Sequence, residues 1–260
     1  MTEAAVQNGS NRLLGTQDLH VHTRMSDGDL TLEAVVGVAR ELGITIGVAD
    51  HVSSRNREMF VSDRRRLREY LDALDGAPVL RSAELCWCDS FGSEITDELV
   101  ERCDYLIGSN HGFALPDGSF ASPWWKTLPA EWKRRPQELM EIMVANLCDM
   151  VAAMPIDIAA HPTFLPSALF DIEDDVEAWW TEEREDRFIE AALANGVALE
   201  ISNRYRLPHE RFLRKARQAG ARYSLGSDGH HLHQVARLDW SVRAALHAGF
   251  DDEQLFYVDR

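Results

Sequence analysis

Cysteine is scarce in this 260-residue chain: only Cys86, Cys88, Cys103 and Cys148 are present. Four thiols give no disulfide framework at this length. Long hydrophobic runs are missing as well. No apolar stretch approaches the roughly 20 residues that cross a bilayer, so no membrane partner is expected. Residues 1–12 (MTEAAVQNGSNR) are polar, have no signal-peptide pattern, and are expected to form a disordered N-terminal tail. With so few cysteines and no export signal, a cytoplasmic location is expected. Positive charge is in short supply: 27 Lys and Arg stand against 43 Asp and Glu, a net charge of −16. Such a surface repels a phosphate backbone, so no long nucleic acid is expected as a partner. A small anion remains compatible, because bound metal ions reverse the local field. There is no internal repeat and no linker, so residues 13–260 are expected to form one domain.

Short apolar strands alternate with amphipathic helices. The pattern predicts strands over 15–22, 44–51, 78–87, 103–111, 155–161, 196–202 and 221–228. Helices are predicted over 31–42, 62–74, 136–152, 181–195, 208–219 and 234–248, the first with Thr31 as N-cap and Gly43 as its stop. Repeating strand–helix units predict an α/β fold, a parallel barrel with helices outside. The segment 112–135 is long and aromatic, and reads as a loop insertion.

Histidines and acids fall at the ends of these strands. His20 and His22 leave the same face of the first strand, because side chains two apart share a face. Asp27 lies in the loop that follows. His51 ends the second strand, Glu84 sits near the end of the third, His111 follows the fourth and His161 ends the fifth. Asp228 ends the seventh, with His230 two residues later. A single strand-end histidine is more often a hydrogen-bonded structural residue than a ligand. Here the residues converge on the C-terminal rim, where a barrel carries its active site. Imidazole and carboxylate together suit zinc, iron or manganese.

These pieces have a family likeness. DLHVHT, the following SDGDLTLEAVVGVARELGITIGVADH, the Glu in RSAELCW, the His in GSNHG, the His in AAHPT and the closing GSDGH resemble the polymerase and histidinol phosphatase (PHP) family. The resemblance covers nearly the whole chain. It implies a distorted (β/α)7 barrel holding two to three divalent ions. The first would be held by His20, His22, Glu84 and Asp228; the second by Glu84, His111 and His161; the third by Asp27, His51 and His230. Some members have His where this chain has Asp27.

The expected function is metal-dependent hydrolysis of a phosphoester of a small metabolite by a metal-bridging hydroxide. Alternatives are a nuclease or oligonucleotide phosphodiesterase, and a hydrolase of C–N or C–O bonds. Asp228 is the candidate to orient the hydroxide or take its proton. His230, His231 and His233 are candidates to protonate the leaving group. Asp18 and Asp50 are candidates to orient ligand imidazoles, or are simply buried strand-end acids. Arg204 and Arg206, and less so Arg24, are candidates for gripping the phosphoryl oxygens. Trp124, Trp125 and Phe113 are candidates to stack on an aromatic leaving group; the same rings would equally serve to cover the barrel mouth or a homo-oligomer contact.

Overall fold

The computed structural model describes residues 11–259. Most of the segment read as a tail therefore lies outside the described residues. Its end is anchored: the backbone N–H groups of Arg12 and Leu13 donate to Asp252 Oδ2 at 2.6 and 3.0 Å.

The fold is mixed α/β with parallel sheets. The strands are β1 (Gln17–Val21), β2 (Thr45–Val48), β3 (His51–Val52), β4 (Leu80–Arg81), β5 (Glu84–Cys86), β6 (Ile107–Ser109), β7 (Phe113–Ala114), β8 (Phe120–Ala121), β9 (Ile158–Ala159), β10 (Ala198–Ser202) and β11 (Tyr223–Gly226). The helices are α1 (Leu32–Leu42), α2 (Arg64–Asp75), α3 (Ser90–Glu94), α4 (Thr96–Arg102), α5 (Ala130–Arg134), α6 (Pro136–Ala153), α7 (Ser167–Phe170), α8 (Val176–Trp179), α9 (Glu182–Ala194), α10 (Glu210–Ala219) and α11 (Asp239–Ala248).

Local chemistry explains the helix limits. The Thr31 side chain accepts from Ala34 N–H, and Gly43 ends α1 in the left-handed region at φ 62°. Asp63 caps α2 by accepting from Arg65 and Arg66. Helix α6 opens with Pro136 and buries Leu139, Met140, Met143, Val144, Leu147, Met150 and Val151, a stripe at helical spacing. Each such side chain contributes about 1.5–3 kcal/mol by leaving water.

The expected closed barrel is not formed among the described residues. Parallel ladders run β11-β10-β9-β6-β5-β3 and, separately, β1-β2-β4. The predicted second and third strands are each interrupted, giving β2 then β3 and β4 then β5. The Tyr70 hydroxyl sits at both breaks. It accepts the Asp50 N–H at 3.0 Å and donates to the Ser82 carbonyl at 2.7 Å, taking groups a regular ladder would use. β1 approaches β11 without a ladder; the link is a single bridge, Val21 to Gly229, just past the end of β11. The sheets still share a core. Leu19, Leu80, Ile107, Ile158 and Ala198 cluster, with Phe256 and Val258 packed against them. Gln17 holds that last segment by exchanging two hydrogen bonds with the Val258 backbone.

The 112–135 segment is partly ordered by its own pairing. β7 and β8 form an antiparallel hairpin. Asn146 of α6 pins it, accepting from Ala114 N–H at 3.0 Å and donating to the Ala114 carbonyl at 3.2 Å.

Helices α9 and α10 are joined by a buried carboxylate. Glu185 lies 2.7 Å from His209 Nε2 and 3.0 Å from an Arg211 nitrogen, with Lys215 at 3.4 Å. Burial alone would raise its pKa, but His209 and Arg211 hold it below the ordinary value of 4.5. A carboxylate with a depressed folded pKa stabilises fully above its unfolded value and less as pH falls through the folded one. Glu185→Ala is expected to cost about 2 kcal/mol of unfolding free energy near neutral pH, since it removes a buried carboxylate's charge-assisted contacts to part-exposed basic side chains. Urea denaturation should show that difference shrinking below about pH 4.5, the ordinary value.

Candidate metal centre

The donors sit at strand ends and in the loops just beyond them. β1 carries His20 and leads into His22; β3 opens with His51; β5 opens with Glu84; His111 follows β6; His161 follows β9; Asp228 and His230 follow β11. Pairing keeps them in register: His51 lies opposite Glu84 in the β3–β5 ladder. Two of them occupy the left-handed region, His161 at φ 31° and Asp228 at φ 49°. For residues with a Cβ this is strained backbone, held by its surroundings.

Glu84 stands at the middle and is fully buried. Its Oε1 lies 3.5 Å from His111 Nε2 and 3.4 Å from His161 Nε2. Its Oε2 lies 3.6 Å from His20 Nε2 and 3.7 Å from His22 Nε2. One carboxylate thus faces two imidazole pairs, one through each oxygen. A third group gathers at Asp27, whose Oδ1 is 3.5 Å from His51 Nε2 and 3.3 Å from His230 Nε2. Asp228 Oδ1 lies 3.3 Å from His22 Nε2. The structure therefore brings together all the residues named as ligands. It adds one feature: the second nitrogen of His22, Nδ1, faces the third group, 3.9 Å from Asp27.

These residues fit divalent cations. Ligands about 2.1 Å from a tetrahedral ion lie about 3.4 Å apart. The donor separations just given scatter around that value. Both Glu84 oxygens and His22 Nδ1 are buried with no hydrogen-bond partner. Burying an ionised carboxylate without compensation costs several kcal/mol. His51 Nδ1 comes within 2.6 Å of Glu84 Oε2, a close charge contact that is not aligned as a hydrogen bond.

Electrostatics divide the imidazoles into two kinds. Burial pushes His22 and His111 down to about 3, so both present neutral nitrogens at physiological pH. Burial also opposes a charge on His20, but Glu200 and Glu84 outweigh it and raise its pKa well above normal. His51 is raised likewise by Glu84 and Asp27. Glu84 itself, despite burial, is held well below the carboxylate range by His51, His111 and His20.

The sequence reading missed Glu200. Its Oε1 lies 2.7 Å from His20 Nδ1, and its Oε2 accepts the His161 N–H at 2.6 Å. It thereby fixes the His20 ring with Nε2 towards Glu84, and holds His161 in its strained conformation. A Cβ at Gly226 would overlap Glu200 Oε1, so glycine is required there. The acid was visible in GVALEIS, but its apolar context marked it only as strand. Asp18 and Asp50, proposed for the orienting role, do something else. Asp18 accepts from Ser227 and Ala236 N–H groups, both at 2.8 Å. Asp50 accepts from the Thr23 N–H and hydroxyl at 2.7 and 2.6 Å. They fasten the loops that carry ligands, not the rings.

A cavity of about 360 Å³ opens over the cluster, lined also by Arg55, Phe60, Cys86, Trp124, Arg204 and Tyr205. Of the three arginines expected, Arg204 alone lines it. Arg24 is exposed and folded back, its Nε donating to the Asp29 carbonyl at 2.7 Å. Arg206 is exposed in a left-handed turn at φ 56° and does not line the cavity. Arg55 was not anticipated; it enters from the loop after β3, donating to the Trp87 carbonyl at 3.0 Å. Trp124 lines the cavity, whereas Phe113 is fully buried and Trp125 packs against the core. His231 is exposed and paired with Asp29 at 2.7 Å, and His233 stacks on it, so neither faces the cluster. Cys86 is buried with Sγ 3.4 Å from His111 Nδ1, while Cys88 is exposed.

No protein-family model matches the chain, and no curated protein matches it in sequence. Two likenesses among solved structures are distant. An HpcH/HpaI aldolase from Desulfitobacterium hafniense is 14% identical, with a TM-score of 0.39 over 82% of this chain and 86% of its own. A protein from Bifidobacterium adolescentis described as a metal-dependent phosphoesterase is 16% identical, with a TM-score of 0.29 over 90% of this chain and 84% of its own. Among the described residues, no helix is long and apolar enough to cross a membrane.

Removing an orienting carboxylate behind a ligating histidine typically weakens metal binding 10- to 100-fold. Glu200→Gln is expected to do so here while the protein remains folded. Competition titration with a chromogenic chelator, beside circular dichroism, reads both; unchanged metal affinity would contradict the role given to Glu200.

Proposed function

We propose that this chain is a metal-dependent hydrolase, specifically a phosphoesterase acting on a small phosphorylated molecule, with the three-ion site that the sequence resemblance implies. The observation that carries the reading is Glu84, whose two buried oxygens each face a separate imidazole pair without any hydrogen bond. On this reading His20, His22, Glu84 and Asp228 hold one ion, Glu84, His111 and His161 a second, and Asp27, His51 and His230 a third. Divalent zinc, iron or manganese bound there would bring the pKa of a coordinated water towards 7 and neutralise charge on a phosphoryl group.

The side chains have separate tasks. Asp228 is held below the carboxylate range, against the effect of burial, by His22 and His20. It is therefore an ionised acceptor placed to orient the attacking water or take its proton. His230 links the third group to Arg204. Its Nδ1 lies 2.6 Å from Arg204 Nη1 and 3.0 Å from the Asp228 carbonyl. When Nδ1 accepts from Arg204, the neutral ring carries its proton on Nε2. For Nε2 to act as a ligand, Nδ1 must instead donate to the Asp228 carbonyl, and the guanidinium must leave. Arg204, partly exposed at the cavity wall, is then free to donate to phosphoryl oxygens. The cavity is near the low end of the roughly 300–1,000 Å³ of small-molecule sites, which favours a metabolite over a polymer. The −16 charge acts in the same direction.

The decisive test is a phosphate-release screen across phosphorylated metabolites with iron-, manganese- and zinc-reconstituted protein. Release from at least one member is expected, with loss of release and of bound metal in His20→Ala. Release from none would move the reading to carbonyl hydrolysis by the same cluster. Arg204→Ala is expected to lower kcat/KM on the best phosphate ester about 10- to 100-fold, the loss of a charge-assisted contact. An unchanged kcat/KM would remove Arg204 from substrate binding.

A further inference from the structure

One donor at the cavity wall has no part in the three-ion arrangement. Cys86 stands two residues from Glu84 on β5, so both side chains leave the same face of the strand. In the β5–β6 ladder Cys86 lies opposite Ser109, and His111 follows two residues later. His51 lies opposite Glu84 in the neighbouring ladder. Strand register thus brings one thiol and two imidazoles together. A nitrogen of His51, the Cys86 sulfur and a nitrogen of His111 all lie within 4.8 Å of one another. Cys86 Sγ is 3.4 Å from His111 Nδ1. Sulfur and nitrogen bound at about 2.3 and 2.1 Å to one tetrahedral ion lie about 3.6 Å apart. The second imidazole, His51, is 6% exposed, and its Nδ1 is buried without a hydrogen-bond partner. A buried cysteine elsewhere commonly serves as a small apolar side chain. Here all three residues line the cavity, which leaves a fourth coordination position open to water or an anion.

We infer that His51, Cys86 and His111 form a binding site for a thiophilic divalent ion, zinc or cadmium in kind, in competition with the three-ion arrangement. Thiolate sulfur is a soft donor that selects zinc over manganese. On binding, a sulfur–metal bond replaces the S–H bond, and the thiol proton passes to water. The competition rests on the phosphoesterase reading above, in which His111 meets its ion through Nε2; the thiol site itself does not. A neutral imidazole offers one lone pair. With Nε2 as ligand, Nδ1 carries the proton and faces Ser109 Oγ at 3.1 Å as well as the Cys86 sulfur. The Ser109 hydroxyl donates to the Leu85 carbonyl at 3.3 Å, so its oxygen is set to accept that proton. With Nδ1 as ligand beside Cys86, the ring proton moves to Nε2, and His111 leaves the second ion. A thiophilic ion in excess therefore has a seat that manganese lacks.

The test titrates cadmium into manganese-reconstituted protein. Thiolate-to-cadmium charge transfer adds an ultraviolet band that manganese and imidazole do not give, and released manganese is read by electron paramagnetic resonance. The band is expected to grow in step with manganese release. Cys86→Ser is expected to abolish it and to weaken cadmium binding, measured by chelator competition, more than about 100-fold. Losing a group that only orients a ligand costs 10- to 100-fold. A smaller loss would therefore remove Cys86 as a ligand. A band absent from the native protein, or unchanged in Cys86→Ser, would overturn the site, and growth of the band without manganese release would overturn the competition. A second protein keeps the test open if Cys86→Ser does not fold. With Cys88→Ser, Cys103→Ser and Cys148→Ser combined, Cys86 is the one thiol left, and the band must persist once circular dichroism shows native structure. Its disappearance there would equally reject the site. Phosphate release by the manganese form is scored apart. A Cys86-dependent band without any phosphate release keeps the thiol site and drops the hydrolytic reading.

Discussion

Everything at this site depends on taking one carboxylate out of water. Glu84 lies at the start of a three-residue strand, fully buried, with no hydrogen-bond donor for either oxygen. In a low-dielectric interior that charge must be balanced by neighbours. The neighbours are imidazoles delivered by β1, β3 and the segments after β6 and β9. They come from distant parts of the chain, so the balance exists only when the parallel strands are in register. Charge neutralisation and fold are thus the same condition. The strained backbones of His161 and Asp228 belong to this arrangement, since both residues reach the cluster only through left-handed conformations.

A second layer keeps the donors aimed. Glu200 grips the His20 ring and the His161 backbone at once. Asp18 and Asp50 act one step further out, on the loops carrying Asp228 and on the turn between His22 and Asp27. Tyr70 uses its hydroxyl at the interruption between β2 and β3, where the chain turns from regular pairing towards His51. The interruption is thus linked to the histidine it precedes.

Much of this was legible in the chain. His20 and His22, two apart on a strand, Glu84 in RSAELCW and Asp228 with His230 in GSDGH could be placed by period and strand order alone. Six of the helices were legible for the same reason, with Thr31 readable as a cap, whereas the short α3, α4, α5, α7 and α8 were not, and α11 begins only at Asp239. What was not legible acts across the chain. Glu200 is separated from its partner His20 by 180 residues and resembles any polar residue in an apolar strand. The breaks at Asp50 and Ser82 require the hydroxyl of a tyrosine from another element. The withdrawal of Arg24 onto the Asp29 carbonyl is a rotamer choice that spacing does not encode. Closure of the sheets was read from strand count, but count does not state whether the first and last strands share a ladder.

The hairpin of β7 and β8 has a consequence of a different sort. It joins the body of the fold through Asn146, which takes both backbone groups of Ala114. The donors for cations stand on strands and their ends, whereas Trp124 stands beyond this pinned hairpin. The cluster and this part of the cavity rim are therefore supplied by different stretches of the polypeptide. Exposed positions of 112–135, Trp124 among them, can therefore vary while the buried Phe113, Leu115, Ala121, Leu128 and Trp132 keep the segment seated on the core. The rim can change while the cluster beneath it keeps its place.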